Sequence, residues 1–337
     1  TGSLDSLDYG LSFEQLQQIN VPTVHNDGNY GQGVLVGIFD NGFNLLSHEA
    51  LAHLDIVATY DFAESKVSPV PTDGSGSHGT MTLSTLAGYK PGKLIGPAFR
   101  ASFVLARTEV AATETPLEED NWVAAIEWAD SIGVDIVSTS LAYCDFDLPF
   151  KDCTREEMDG NTTLITRAAD MAVSKGIVVV VSAGNEGMFE IDSDGNLLRD
   201  SKGDIVWVGY NTLWEPADGD SVISVGAVDW RGERVYFSSF GPTLSNPPRI
   251  KPDVMAMGTE VYVANAESSQ HYRLVAGTSF SCPLVAGVAA LVLAAHSEAT
   301  PMQIIEALKM TASRAQSPDR FYGWGIVNAE AAIRYLR

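Results

Sequence analysis

Short apolar runs rich in β-branched residues alternate along the chain with longer stretches whose apolar positions recur at helical spacing. The runs that predict buried strands lie at 34–39, 103–106, 134–137, 177–181, 222–225 and 261–263. The stretches that predict helices lie at 118–132, 161–175 and 302–310, and Asn328 is placed to cap a last helix. Strands and helices that alternate in this way predict an α/β fold of three layers, a mostly parallel sheet with helices on both faces.

The domain organisation predicted from the sequence is simple. No composition break, internal repeat or low-complexity linker divides the chain, which favours one domain over 1–337. Residues 1–28 precede the first predicted strand and are interpreted as an N-terminal arm. The least regular segment, 186–220, is rich in Asp, Gly and Asn and is predicted to be an inserted surface loop.

The charge of the chain narrows the classes of partner. The 21 Lys and Arg residues against 43 Asp and Glu give a formal net charge of −22, while 45% of residues are hydrophobic and can fill a core. A surface of this sign repels phosphate backbones and anionic lipid head groups, so we expect neither nucleic acid nor membrane as a partner. The longest apolar run, 285–295, is also too short to span a bilayer.

The N-terminal sequence and the number of cysteines give information on the cellular compartment of the protein. The chain begins without the basic and apolar segments of a signal peptide, so it is either intracellular or a mature chain whose targeting segment has been removed. With three cysteines, at least one is unpaired. Cys144 and Cys153 are close enough to form a small disulfide and could equally stay reduced, whereas Cys282 lies in an apolar stretch.

Two patterns are similar to metal sites and are set aside. His48 and His53 are five positions apart, whereas a zinc-binding helix needs histidines four apart so that both reach one metal. Asp192 and Asp194 alternate as in a calcium loop, but Leu197 occupies the position where that loop needs glycine. We interpret this second segment as a solvated hairpin tip, with a weak cation site as the alternative.

Four polar groups follow apolar strands or open helices, positions that meet at the carboxyl edge of a parallel sheet. Asp40 ends the first predicted strand, and Asn185 lies in the turn after 177–181. His78 opens a short helix, where the helix dipole disfavours its charged form and suits a neutral base. Ser279 leads into a long apolar helix. Each alone has an ordinary interpretation, such as a turn, a surface histidine or, for Ser279, a helix N-cap.

In the order Asp, His, Asn, Ser, these segments together resemble the subtilisin-like serine proteases (subtilases) over nearly the whole chain. Residues 135–142 resemble the family's substrate-binding strand, and 251–258 and 322–329 resemble its structural signatures. The resemblance implies the subtilisin-like fold and a serine endopeptidase that hydrolyses extended polypeptides through an acyl-enzyme.

The resemblance assigns a role to each of the four groups. Ser279 would be the nucleophile, and His78 would act first as its base and then as the acid for the leaving amine. Asp40 would orient the imidazole and stabilise its protonated form. The side chain of Asn185 and the backbone N–H of Ser279 would form the oxyanion hole.

The resemblance also implies how substrate binds. Ser140, Leu141 and Ala142 would bind an extended peptide as an added strand, and Ala183 and Gly184 would line the pocket for the residue before the cut. We expect polypeptide substrates, an N-terminal propeptide before maturation, a monomer, and a secreted enzyme whose signal and propeptide are absent from this chain.

The resemblance leaves metal binding in doubt. No cofactor is expected for the chemistry. The family's principal calcium site is not supported, because its carboxylate is replaced near Ala50 and because Lys90 and Lys93 would repel the metal. A structural calcium elsewhere stays open.

Three other functions are compatible with parts of the sequence. A catalytically silent subtilase-fold protein that only binds polypeptides is the main alternative, and the complete set of Asp40, His78, Asn185 and Ser279 argues against it. An acid-active sedolisin-type peptidase would use a glutamate base and an aspartate at the oxyanion position. A calcium or adhesion module is supported only by the acidic charge.

Overall fold

The computed structural model describes residues 7–188 and 210–337, together with residues 198, 206 and 208. Its helices are α1 (Phe13–Gln17), α2 (Val21–Asn26), α3 (Ser77–Ala87), α4 (Pro116–Ile132), α5 (Leu164–Ser174), α6 (Thr278–Ala295), α7 (Pro301–Met310) and α8 (Ala329–Tyr335). Its strands are β1 (Leu35–Asp40), β2 (Asp55–Asp61), β3 (Tyr89–Lys90), β4 (Leu94–Ile95), β5 (Ser102–Arg107), β6 (Ile136–Thr139), β7 (Val178–Ser182), β8 (Ile223–Val228), β9 (Val254–Met257), β10 (Val261–Ala264) and β11 (Tyr272–Val275).

Seven parallel strands form the main sheet in the spatial order β2-β5-β1-β6-β7-β8-β9. Side chains alternate between its two faces, as the pleat requires. In β7, Val178 and Val180 pack into one hydrophobic cluster, whereas Val179 and Val181 pack into another. Both faces are therefore apolar, which explains why the central strands read as continuous apolar runs.

Helices cover both faces of this sheet. The first cluster packs β-strand side chains against α3, α6, α7 and α8, and the second packs them against α4 and α5. Trp122 of α4 lies fully buried in the second cluster, where its indole N–H donates to Thr139 Oγ1 at 3.0 Å. The predicted three-layer α/β fold is thus confirmed.

The structure departs from the predicted elements at the sheet margins. Residues 261–263 are a strand, as predicted, but β10 pairs antiparallel with β11 outside the main sheet. The edge strands β2 and β9 were not predicted. In β2 every side chain except that of Asp61 is at least partly exposed, and its apolar run, 56–58, is only three residues long between polar residues. The strand β9 spans only four residues after a proline.

The apolar helix α6 runs through the first cluster. Among the described residues it is the helix long and apolar enough to cross a membrane by length and composition, and 78% of it is buried inside the protein. Residues 278–292 are buried on all sides and only the last turn meets water, which explains the uniform apolarity of the helix.

Buried residues occur in both the N-terminal arm and the end of the segment 186–220. In the N-terminal arm, Leu16, Ile19 and Val21 are fully buried around α1 and α2. Much of the predicted 186–220 loop lies outside the described residues. At its end, residues 211–213 and 215–219 are buried and Trp214 is partly exposed, and Glu215 O accepts a hydrogen bond from the Tyr143 N–H at 3.0 Å.

Candidate active site

The carboxyl ends of β5, β1, β6 and β7 meet at one edge of the sheet and surround a cleft of about 420 Å³. His78, Asn185 and Ser279 all line this cleft. The residues predicted to bind substrate that also line it are Ser140, Leu141, Ala142 and Gly184. The fold therefore gathers at one cleft groups that are spread over most of the sequence.

Asp40 lies beneath the cleft as the last residue of β1, fully buried. Its Oδ1 accepts from His78 Nδ1 at 2.7 Å and from the Asn41 N–H at 2.8 Å. Its Oδ2 accepts from Thr82 Oγ1 at 2.9 Å. Three donors thus hold both oxygens of this carboxylate, which satisfies a charged group that would otherwise be costly to bury.

His78 stands in the first turn of α3, which begins after Gly76 in the left-handed conformation. Its side chain is 30% exposed toward the cleft. Burial lowers the pKa of His78, but the charge and the hydrogen bond of Asp40 raise it more, and Glu109 adds to the rise. The pKa therefore lies above its ordinary value of 6.5.

Ser279 is the second residue of α6 and is 9% exposed. The N-cap of α6 is Gly277, so the alternative of Ser279 as an N-cap is wrong. The Ser279 hydroxyl donates instead to the backbone carbonyl of Ser140 at 3.4 Å. Among the described residues no hydrogen bond joins this hydroxyl to His78.

Pro283 explains a second contact between the same two segments. A proline inside a helix has no N–H for the carbonyl four residues earlier, which here belongs to Ser279. The hydroxyl of Ser140 donates to that freed carbonyl at 2.8 Å. Ser140, predicted to bind substrate as part of an added strand, therefore also anchors the first turn of α6 through its side chain.

The amide of Asn185 is oriented by the residue before the nucleophile. Its Oδ1 accepts from the Thr278 N–H at 2.9 Å and from Thr278 Oγ1 at 3.1 Å. Because the oxygen is engaged there, the Nδ2 donors are turned away from Thr278. The N–H of Ser279 lies in the first turn of α6, where backbone donors have no partner within the helix.

Ser239 fixes the turn that carries Asn185. Its N–H donates to the Gly184 carbonyl at 3.0 Å, and its Oγ accepts from the Glu186 N–H at 2.9 Å. Gly184 has φ +103°, and a β-carbon there would lie 2.8 Å from Ser239 Oγ. Both the backbone conformation and this close approach therefore require glycine at 184.

Ala183 does not face the cleft as predicted. Its side chain is fully buried in the second hydrophobic cluster, while Ser182 and Gly184 line the cleft. Side chains alternate along an extended segment, so two successive residues cannot face the same side. The prediction for Gly184 matches its position, whereas the Ala183 side chain belongs to the core.

Several residues at the site were missed by the sequence analysis. Thr82, Ser239 and Glu109 lie outside the four motifs, and only their contacts across the fold bring them to the site. Phe280 places its ring 5.7 Å from that of His78. Its position directly after the nucleophile was a signal that could have identified it.

The residues at the family's usual calcium position do not fit a metal. Lys90 Nζ lies 2.9 Å and Lys93 Nζ 3.1 Å from the carboxylate of Glu49, so two cations already pair with this acidic group. His48 and His53 point apart, each hydrogen-bonded to a carbonyl of a different segment. The candidate calcium loop at 192–197 lies outside the described residues.

Cys144 and Cys153, left open above, form a disulfide directly after the substrate-binding residues. Cys282 is free and fully buried within α6. The site therefore combines a buried carboxylate, a histidine oriented by it, a serine at a helix start and an amide whose Nδ2 has no hydrogen-bond partner among the described residues. This set can activate a hydroxyl and stabilise an oxyanion.

Comparison with known proteins agrees with this chemistry. The model of the subtilase family matches residues 31–325. Subtilisin E of Bacillus subtilis (strain 168) is 33% identical over 331 residues, which cover 98% of this chain and 72% of that protein. A subtilisin of Bacillus pumilus is also 33% identical over 331 residues, which cover 98% of this chain and 99% of the relative.

Solved structures agree at the level of the fold. MycP1 from Mycobacterium smegmatis superposes with a TM-score of 0.72 at 21% identity, covering 99% of this chain and 86% of that one. The MycP3 protease from the type VII (ESX-3) secretion system gives 0.70 at 22% identity, covering 98% and 89%. These findings confirm the resemblance in the sequence and do not favour a silent binding protein. The chain belongs to the subtilase family and is a serine endopeptidase.

Proposed function

We propose that the enzyme cleaves extended polypeptides through an acyl-enzyme on Ser279, with His78 as base and then acid and Asp40 as the orienting group. The observation that carries this proposal is the 2.7 Å contact between His78 Nδ1 and Asp40 Oδ1, next to Ser279 in the same cleft. A buried carboxylate there holds the ring and favours the imidazolium that forms during the reaction.

The contact with Asp40 also selects the nitrogen of His78 that acts as base. A carboxylate can only accept hydrogen bonds, so in the neutral ring the proton resides on Nδ1 and the lone pair on Nε2. Nε2 would take the proton of the Ser279 hydroxyl as the oxygen attacks the carbonyl carbon, and would then give it to the departing amine. Water then attacks the acyl carbon and gives a proton to Nε2, and His78 passes that proton to the Ser279 oxygen as the acyl group leaves.

The hydroxyl of Ser279 must turn for this step. Its contact with the Ser140 carbonyl is long, 3.4 Å, and so holds the hydroxyl weakly. Rotation about one side-chain bond releases it toward His78. Hydrogen bonds of this kind often tighten only when substrate is bound.

The oxyanion would be stabilised by Asn185 Nδ2 and the Ser279 N–H. Thr278 engages the opposite end of the Asn185 amide, so the donor end is set before substrate arrives. Donors that need no reorganisation are the effective ones, because the energy of aligning them has already been spent in folding.

Secretion and a propeptide are proposed from observations outside the active site. A disulfide between Cys144 and Cys153 suits an oxidising compartment, which favours a secreted enzyme. One related structure is MycP1 with its N-terminal propeptide removed, which supports a propeptide for this chain as well. We also propose a monomer that needs no cofactor for the chemistry.

Covalent labelling tests the proposed chemistry. The protein is treated with a fluorophosphonate at mildly alkaline pH, and its intact mass is recorded beside that of Ser279→Ala. One adduct on the wild type and none on the variant is the expected result. A folded wild-type protein that stays unlabelled would contradict the proposal and revive the silent polypeptide-binding alternative.

A further inference from the structure

The cleft is acidic apart from its histidine. Three glutamates line it, Glu109, Glu114 and Glu186, and among its described lining residues there is no Lys or Arg. Exposed Asp145 and Asp147 add negative charge beside Glu114. Burial raises the pKa of Glu114 to about 7, so this charge is complete only at mildly alkaline pH. Once the carboxylates are ionised, unbalanced charge of one sign in a cleft attracts ligands of the opposite sign.

Glu109 is the acid best placed to meet a substrate. It lies two residues after the end of β5 and is only 9% exposed. The backbone before it is fixed, since the Thr108 N–H donates to the Asp40 carbonyl at 3.1 Å and Asn121 Nδ2 donates to the Thr108 carbonyl at 2.9 Å. Glu109 therefore stands on a rigid support beside the Asp40–His78 pair.

The two oxygens of Glu109 have different surroundings. Oε1 accepts from Thr108 Oγ1 at 2.8 Å and from the Tyr143 hydroxyl at 2.5 Å. Oε2 has no hydrogen-bond partner among the described residues, but it is not sealed off from solvent. Because Glu109 lines the cleft, this oxygen is accessible from the cleft. One oxygen thus holds the side chain in place, while the other is free to bind.

The sheet order tells which substrate residue reaches Glu109. Along the edge, Glu109 follows β5, the peptide-binding residues 140–142 follow β6, and Gly184 follows β7. Successive side chains of an extended peptide point to opposite sides. If the residue before the cut lies toward Gly184, the residue one position earlier lies toward His78 and Glu109.

We infer that the enzyme selects substrates with Lys or Arg at the second position before the cleaved bond, and that the cation binds Glu109 Oε2. The inference rests on the proposed function, because it uses the same cleft and the same direction of substrate. Glu109 is on this view a specificity determinant, and the other acids of the cleft add an attraction that is less directional.

The ionisation of Glu109 makes the preference for a basic residue depend on pH. Burial raises the pKa of Glu109 to about 8, although the hydrogen bonds from Tyr143 and Thr108 lower it. The titratable groups that face it are His78 on α3, Tyr143 after β6, Glu114 just before α4 and Glu118 in the first turn of α4. Because a cation binds the ionised carboxylate, preference for a basic residue increases as the pH rises through about 8.

The test compares two peptides that differ in one charge. A cleaved sequence is first found by mass spectrometry in a digest of an unfolded protein. It is then synthesised with Lys or with norleucine, which keeps the apolar stem of Lys, at the second position before the cut. The quantity measured is the ratio of kcat/KM for the Lys peptide to that for the norleucine peptide, above the pKa of Glu109.

We expect this ratio to be about tenfold or more in the wild type, the size of one hydrogen-bonded charge contact, and to fall toward one in Glu109→Gln. Glutamine keeps an oxygen that can accept from Tyr143 and Thr108, so the shape of the site is retained. Glu298→Gln removes the same charge at an exposed position away from the cleft and is expected to keep the ratio. A wild-type ratio near one, or a ratio unchanged in Glu109→Gln, overturns the inference.

Two further measurements keep the test decisive. If Glu109→Gln does not fold, the pH dependence of the wild-type ratio replaces it, and a ratio independent of pH overturns the inference. Fluorophosphonate labelling of each protein distinguishes failure of the proposed function from failure of the inferred substrate preference. If the wild type is labelled but shows no preference for the Lys peptide, only the inferred specificity is contradicted. If the wild type is not labelled, both the proposed function and the inference are contradicted.

Discussion

The hydroxyl of Thr82 donates a 2.9 Å hydrogen bond to Asp40 Oδ2, the carboxylate oxygen that does not bind His78. Thr82 lies one turn after His78 on α3 and is 1% exposed. One helix therefore carries both the histidine and a side chain that fixes its carboxylate partner. Hydrogen bonds to both carboxylate oxygens therefore restrict rotation of the Asp40 side chain. Because Asp40 Oδ1 binds His78 Nδ1, the orientation of the His78 ring is restricted as well.

We predict that Thr82→Val lowers kcat about tenfold or more while KM changes little, because a hydrogen bond to a buried charged group contributes about 1.5–3 kcal/mol. Steady-state kinetics on a peptide substrate measure this effect. Thr85→Val is the matched control, since Thr85 lies on the same helix and its hydroxyl donates only to the Met81 carbonyl. Equal losses of kcat in the two variants would assign Thr82 a merely structural role.

Asn185→Asp tests the oxyanion hole with little change of shape. The variant keeps an oxygen to accept from Thr278 but replaces the Nδ2 donor by a second acceptor, which repels the developing oxyanion. In subtilisin, itself the reference case for this effect, loss of the corresponding donor costs about 10²–10³ in kcat. We expect at least that loss, with labelling by fluorophosphonate slowed in parallel. Near wild-type kcat would exclude Asn185 as an oxyanion donor.

The pH profile should report the raised pKa of His78. The base must be neutral, so kcat/KM is expected to rise with pH through a value above the ordinary 6.5. Asp40→Asn removes the charge that raises this pKa and should move the acid limb of the profile to lower pH, besides reducing kcat severely. An acid limb at the same pH in both proteins would show that Asp40 does not set the pKa of His78.

Ser140→Ala should destabilise the first turn of α6. The carbonyl of Ser279, left without a helical donor by Pro283, would lose the Ser140 hydroxyl as well. A buried acceptor without a partner costs about 1–3 kcal/mol, so thermal unfolding should shift down by a few degrees. Ser281→Ala, which removes a hydroxyl that donates to the Thr278 carbonyl on the same helix, is expected to cost less. A larger shift for Ser281→Ala would contradict this explanation.

Thiol counting tests the cysteine assignment. The native protein should react with no iodoacetamide, because Cys144 and Cys153 are bonded and Cys282 is buried with its pKa raised to about 12. Denaturation without reductant should expose one thiol, and denaturation with reductant three, as counted by intact mass. Three thiols without reductant would show that the disulfide is absent.

Much of the fold and of the candidate site could be predicted from the sequence. The apolar runs predicted β1, β5 and β7 within one or two residues, and the cap at Asn328 accepts from the Ala331 N–H as expected. Asp40, His78, Asn185 and Ser279 could be selected because each sits at a strand end or helix start, where a few neighbouring letters define the local conformation. Parallel strands then bring such ends to one edge of the sheet.

The sequence by itself thus determined the strand–helix alternation, the family and the four groups at the cleft, since these depend on periodicity and on short motifs. Only the tertiary structure decided that Thr82 supports Asp40, that Ser140 anchors the helix of Ser279 and that Glu109 opens into the cleft. The sequence separation is 42 positions for Thr82 and Asp40 and 139 positions for Ser140 and Ser279. For Tyr143 and Glu109, whose contact fixes the Glu109 side chain, it is 34 positions. They depend on which side chains the packed layers bring within hydrogen-bond distance, and no local pattern encodes that distance.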